Sequence, residues 1–103
     1  MSAASIEHIT KTPGVCGGRA CIAGHRIRVA DIVAWHERRG YSPDEIVAMF
    51  PEITLADVHA ALAYYFDHRD EIVNEISADE ELSRRAARSQ KSKLSERPEV
   101  PNR

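Results

Sequence analysis

The period of the apolar positions changes along the chain, and each change predicts an element. Ile6-Glu7-His8-Ile9-Thr10-Lys11 is mixed in polarity and runs into the turn pair Pro13-Gly14, which predicts a short strand. Val15-Cys16, the pair Gly17-Gly18, Arg19-Ala20-Cys21-Ile22, the pair Ala23-Gly24 and His25-Arg26-Ile27-Arg28 follow. Glycine pairs supply the positive φ angles of two-residue hairpin turns, so this stretch reads as a small β-meander. A lone hairpin is unstable in water and has to pack on helices or on a second copy of itself.

From Val29 the pattern turns helical. Val29, Ile32, Val33 and His36 share one face as far as Arg39, and Gly40 follows as a C-cap with Arg38 and Arg39 in the last turn. Ser42-Pro43-Asp44-Glu45 matches a capping box with proline at the first helical position, predicting a second helix from Pro43 to about Phe50 that Pro51 stops. Thr54-Leu55-Ala56-Asp57 is a similar box. The helix it starts keeps Leu55, Val58, Leu62, Tyr65, Ile72, Val73 and Ile76 at spacings of three and four, so it extends to about Ser77, either unbroken or with a break near His68. Val58, Leu62 and Tyr65 are expected to pack on Ile32, Val33 and Ile46. That leaves Ile72, Val73 and Ile76 with few partners in the chain, and the surplus points to a homodimer or a partner seam.

From Ser83 onward there are no aromatics, only Leu94 and Val100 among the larger aliphatics, and prolines at 98 and 101. Such a segment buries too little to offset its ordering entropy. The expected organisation is a domain over residues 1–82 and a basic disordered tail over 83–103. The second and third helices are joined by a turn of about four residues, Pro51-Glu52-Ile53-Thr54. The fold class is therefore mainly α, a three-helix helix-turn-helix core with an N-terminal β-hairpin and a disordered C-terminal tail.

With 103 residues and 43% hydrophobic content the chain suits one compact domain, not a large enzyme with a deep pocket. No window approaches the roughly 20 apolar residues a membrane-crossing helix needs. Met1-Ser2-Ala3-Ala4-Ser5 lacks the basic start and apolar run of a signal peptide, so a cytoplasmic protein is expected. Cys16 and Cys21 are too few for a disulfide framework and are expected as reduced thiols.

The net charge of -2 conceals three blocks of different sign. Residues 11–40 hold six bases against two acids, a net of +4; residues 41–82 hold Arg69 against eleven acids, a net of -10. From Ser83 seven bases face Glu96 and Glu99, a net of +5. This asymmetry suggests separate faces for polyanions and for something basic.

Three chemistries follow. The stretch that would enter a major groove, Leu55-Ala56-Asp57-Val58-His59-Ala60-Ala61, offers no base-reading donor except His59, and Asp57 would meet phosphate repulsion. Arg19, Arg26, Arg28, Arg38 and Arg39, or the tail bases, make a better footprint for DNA phosphates, with solvated charge as the plain alternative. Cys16, Cys21 and His25 have no second ligand pair, so small buried thiols packing the hairpin are expected, with no metal and no cofactor. No nucleophile signature or phosphate-binding glycine loop is present, and Asp67, His68, Asp70 and Glu71 read as a solvated helix face, so no catalysis is expected.

Pro13-Gly14-Val15-Cys16-Gly17-Gly18-Arg19, Gly24-His25-Arg26-Ile27, Ser42-Pro43-Asp44-Glu45-Ile46 and Ala60-Ala61-Leu62-Ala63-Tyr64-Tyr65 occur in order at close spacing. Together they resemble the domain of unknown function 433 family, over about residues 5–75. His25 stands where that family usually has threonine, and Arg28 where it usually has proline. The resemblance implies a small β-hairpin plus helix-turn-helix protein of the kind often read as an antitoxin encoded beside a PIN-like ribonuclease toxin. On that implication the tail bases Arg84, Arg85, Arg88, Lys91 and Lys93 are the candidate toxin-binding residues, docking in an acidic nuclease site, with operator DNA as a further partner. Two plainer readings are a solubilising end and a neighbour for the chain's own acids at 67–81. A stand-alone DNA-binding regulator is the alternative function.

Overall fold

A computed structural model describes residues 7–96 of the chain, and the side chains of residues 7–90. The elements run β1 (Ile9–Thr10), β2 (Cys21–Ile22), α1 (Val29–Val33, continued as a π-helical turn over Ala34–Arg38), α2 (Pro43–Met49), α3 (Leu55–Asp67) and α4 (Arg69–Glu96). The protein is mainly helical with a small antiparallel hairpin at its N-terminal end.

The hairpin forms differently from the meander that the glycine pairs predict. β2 pairs with β1 in the register Ile9 with Ile22 and Thr10 with Cys21, so residues 11–20 are the connection. Within it Cys16, Gly17 and Gly18 form a single 3₁₀ turn, all three at positive φ. The Ala23-Gly24 turn falls where the sequence places it: Ile22 N–H donates to Ile27 O (2.9 Å), and Cys21 bridges to Arg28. Val29 N–H then returns to Ala20 O (3.0 Å), and the chain enters α1 directly from this short ladder.

The helix ends follow local chemistry closely. Ser42 Oγ accepts from Glu45 N–H (3.1 Å) while Glu45 Oε1 accepts from Ser42 N–H (2.8 Å), and Thr54 and Asp57 repeat the same exchange at the start of α3. Arg39 N–H closes the π turn on Ala34 O (3.2 Å), and Gly40 takes the left-handed conformation that ends the helix. The third predicted helix breaks at His68, whose N–H donates to Tyr64 O and Tyr65 O and whose ring stacks on Tyr64 with centroids 4.0 Å apart. α3 and α4 are therefore two helices packed against each other.

The core gathers Ile32, Val33, Ile46, Val58, Leu62 and Tyr65, as the periodicity predicts, and adds Ile22 from the hairpin and Ile53 from the turn before α3. Trp35 and Phe50, stacked at 4.4 Å, tie the end of α1 to the end of α2. Ile72 and Ile76 belong to the same cluster, at 0% and 5% exposure. The surplus that suggested a seam at Ile72, Val73 and Ile76 is thus largely absorbed inside the chain; only Val73 stays exposed. The break at His68 redirects the helix so that these isoleucines turn back onto α1.

α4 also runs on past Ser83, where composition predicts a disordered tail, and continues to Glu96. The physical reason is cooperative. Nucleating a helix is costly, but α4 is already nucleated on the core, and beyond Leu82 only propagation through Arg, Ala, Gln, Lys and Leu is needed. Residues 97–103 of the expected tail lie outside the described residues.

Candidate functional site

Arg28 is the hub of the α1–α4 junction. Its own N–H donates to Asp31 Oδ2 (3.0 Å), and its guanidinium reaches Asp31 Oδ1 (2.7 Å) and Asp79 Oδ2 (2.8 Å), with Glu75 Oε1 at 4.0 Å. These hydrogen bonds, that to Asp31 foremost, hold the guanidinium firmly protonated against its partial burial. Burial pushes the Glu75 carboxyl up, with Arg19 and Arg28 opposing and Glu71 and Asp79 reinforcing. Its Oε1 has no hydrogen-bond partner among the described residues.

The other basic candidates separate into two groups. Arg19 lies 3.9 Å from Asp79, and Arg38 is bonded to Glu80, so Arg19, Arg28 and Arg38 are all engaged by the acids of α4. Arg26 and Arg39 are exposed and have no ion-pair partner among the described residues. His59 is exposed on the outer side of α3 and lines neither basic cleft. Arg19, Arg26 and Arg28 share one open concavity with Cys16 and Asp79, and Arg28, Arg38, Arg39 and Arg84 share a second cleft of about 440 Å³ with Asp31, Asp79 and Glu80. Both concavities mix the two signs of charge.

The start of α3 is equally occupied. Asp57 Oδ1 is 2.8 Å from His8 Nδ1, and its other oxygen accepts from Thr54 N–H. Burial works against the Asp57 carboxylate, but the Thr54 backbone, the His8 ring and the Thr54 hydroxyl outweigh it and hold the group below the usual carboxylate range. The first two turns of this helix hold no lysine or arginine, and their one carboxylate is already paired.

Past Leu82 the side chains of α4 are exposed as far as they are described. Arg84 (2.7 Å), Arg85 (3.2 Å) and Arg88 (3.8 Å) converge on one carboxylate, Glu81, which the Arg84 and Arg85 guanidiniums hold below its usual range. Three guanidiniums on one acid leave positive charge in excess. Lys91 and Lys93 lie on the same helix, with their side chains outside the described residues. The structure so brings Arg84, Arg85 and Arg88 together on one solvent-facing arm.

Sequence reasoning did not single out Glu75, Asp79 and Glu80 as partners of Arg28, Arg19 and Arg38. The complementary signs of the blocks were the available signal, but nothing local links residue 28 to residue 79. Cys16 and Cys21 are free thiols; Cys16 Sγ donates to Arg26 O (3.3 Å), and burial together with the neighbouring Cys21 pushes the Cys16 thiol up. Among the described residues no group of three or more His, Cys, Asp or Glu side chains is placed to hold a metal ion, and no helix is long and apolar enough to cross a membrane.

Comparison with known proteins gives two matches. The model of a family described as a protein of unknown function, DUF433, matches residues 9–65. A crystal structure of a DUF433 member protein from Anabaena variabilis ATCC 29413 is 40% identical, covers 68% of this chain and 68% of that one, and superposes with a TM-score of 0.65. No curated protein matches.

Proposed function

The chain belongs to the DUF433 family, and on that premise we propose that it is a cytoplasmic, non-catalytic antitoxin of a type II toxin–antitoxin pair that neutralises a PIN-like ribonuclease by direct binding. One observation carries this reading: the exposed arm of α4, where Arg84, Arg85 and Arg88 crowd on the single acid Glu81. Nuclease sites that hold divalent metals are acidic, and a helix with surplus guanidiniums suits such a groove in charge and shape. Ordered before contact, the arm loses less conformational entropy on docking than a disordered tail would.

The test is co-expression with the neighbouring gene, scored for growth rescue and for a co-purifying complex. Full-length protein is expected to rescue and to co-purify. A truncation after Leu82, which keeps Ile72 and Ile76, is expected to stay folded and lose both effects. Rescue by the truncated form would overturn the arm's role, and a harmless or non-binding neighbour would overturn the antitoxin reading.

Operator DNA is the second reading, favoured by Arg26 and Arg39, which face solvent unpaired among the described residues. With so few free cations, binding is expected to be weak, and its affinity to fall with a shallow slope as salt rises.

A further inference from the structure

We propose that the hollow between the turn at residues 16–18 and the strand end at Arg26 binds a phosphate monoester, and that Asp79 of α4 is the carboxylate which the phosphate displaces. This site stands apart from the antitoxin reading and differs from the operator reading in its ligand, a terminal phosphate and not a duplex backbone. The hollow measures about 550 Å³ and is lined by Cys16, Gly17, Arg19, Arg26, Arg28 and Asp79. Three arginines thus share its wall with one carboxylate. Its volume lies in the range of small-molecule sites.

The arginines project from a frame that main-chain bonds hold. Val29 N–H donates to Ala20 O (3.0 Å), which ties the neighbour of Arg28 to the neighbour of Arg19. Ile22 N–H donates to Ile27 O (2.9 Å) beside Arg26, and Cys16 Sγ donates to Arg26 O itself (3.3 Å). All three backbone positions are therefore fixed before a ligand arrives, and the entropy left to lose is chiefly that of the Arg19 and Arg26 side chains.

The three cations are unequally engaged. Arg28 is held by Asp31 Oδ1 (2.7 Å) and Asp79 Oδ2 (2.8 Å). Arg19 has one ion-pair contact among the described residues, Asp79 at 3.9 Å, which is beyond hydrogen-bond length. Arg26 is exposed and has none among the described residues. Asp79 is thus a resident oxyanion that satisfies Arg28, barely reaches Arg19 and forms no ion pair with Arg26. Its side chain is partly exposed, so it reaches water by rotation without uncovering the core. With a phosphate in its place, Arg28 keeps Asp31, while Arg19 and Arg26 balance the two charges of a monoester. A phosphodiester brings one charge and two free oxygens. The adjoining cleft shares Arg28 and Asp79 and adds Asp31 and Glu80, which repel an extended polyanion.

The experiment is a titration of full-length ¹⁵N-labelled protein with methyl phosphate at about pH 8, where the monoester is a dianion, read on backbone amide shifts. Saturable shifts are expected at residues 16–19 and 26–28, with a millimolar dissociation constant and with dimethyl phosphate binding about tenfold more weakly. Arg26→Ala removes an exposed, unpaired side chain and is expected to keep the fold and weaken methyl phosphate binding by about tenfold. Asp79→Asn removes the competing carboxylate and should tighten binding by about threefold to tenfold. Glu80→Gln makes the same change in net charge but lies only in the adjoining cleft, so it should leave the affinity unchanged. Absence of saturable shifts, or equal effects of Asp79→Asn and Glu80→Gln, would overturn the site. Equal binding of dimethyl phosphate would overturn the monoester assignment in favour of a nucleic-acid backbone.

Discussion

The two halves of α4 are held by different physics. Over residues 69–81 the helix is fastened from outside itself: Ile72 and Ile76 are buried in the common core, and Asp79 and Glu80 reach across to Arg28 and Arg38. From Leu82 onward the described side chains are exposed, and what holds this half among the described residues is its own backbone ladder and pairs three and four residues apart, such as Glu81 with Arg84 and Arg85. The acids of the first half neutralise much of the N-terminal basic block, whereas the second half keeps its positive charge for solvent or a partner. Among the described residues the densest basic cluster left for a partner is therefore on the arm, away from the core, with Arg26 and Arg39 as separate unpaired cations.

The largest effect that would sharpen this contrast is in the docked half. Ile72→Ala empties a fully buried site and is expected to cost about 2–5 kcal/mol in denaturant unfolding. Leu82→Ala, at 63% exposure, should stay within about 0.5 kcal/mol. Similar losses at the two sites would contradict the division.

Next in size is the ionic clamp. Asp79→Ala removes one of the Arg28 acceptors while Asp31 remains, with an expected cost of about 1–2 kcal/mol, partly offset by water at this half-exposed junction. The same substitution should release Arg19 and Arg28 and steepen the salt dependence of any DNA binding, which a filter or anisotropy titration reads.

The pH response distinguishes two carboxyls. Asp57 lies below its unfolded value, so its stabilisation is present at neutral pH and is lost as pH falls through the acid range; Asp57→Asn should blunt that acid limb. Glu75 lies above its unfolded value, so folding favours its protonated form and the benefit is lost as pH rises through its shifted range. Glu75→Gln is therefore expected to raise the melting temperature slightly at neutral pH and to leave it unchanged at acid pH. The smallest effect is in the arm, where Glu81→Ala or high salt should fray helicity seen by circular dichroism, each local pair contributing about 0.3–0.5 kcal/mol.

Much of this architecture is legible without coordinates because it is written in short range. The boxes at Ser42 and Thr54, the stop at Pro51, the left-handed Gly40 and the apolar period of α1 to α3 each depend on residues within one or two turns of each other. The candidate arm residues Arg84, Arg85 and Arg88 were legible as a basic cluster for the same reason. Their conformation was not, because composition reports what a segment can bury and is silent about a helix nucleated elsewhere.

The sequence by itself determined where α1, α2 and α3 begin and where α1 and α2 end, which faces are apolar, and that charge falls in blocks of opposite sign. Only the tertiary structure decided that β2 pairs with Ile9–Thr10 across residues 11–20, that α4 folds back to bury Ile72 and Ile76, and that Arg28 meets Asp79 fifty-one residues away. Those choices belong to long-range closure, where many pairings satisfy the local pattern equally and the burial of a shared core selects one.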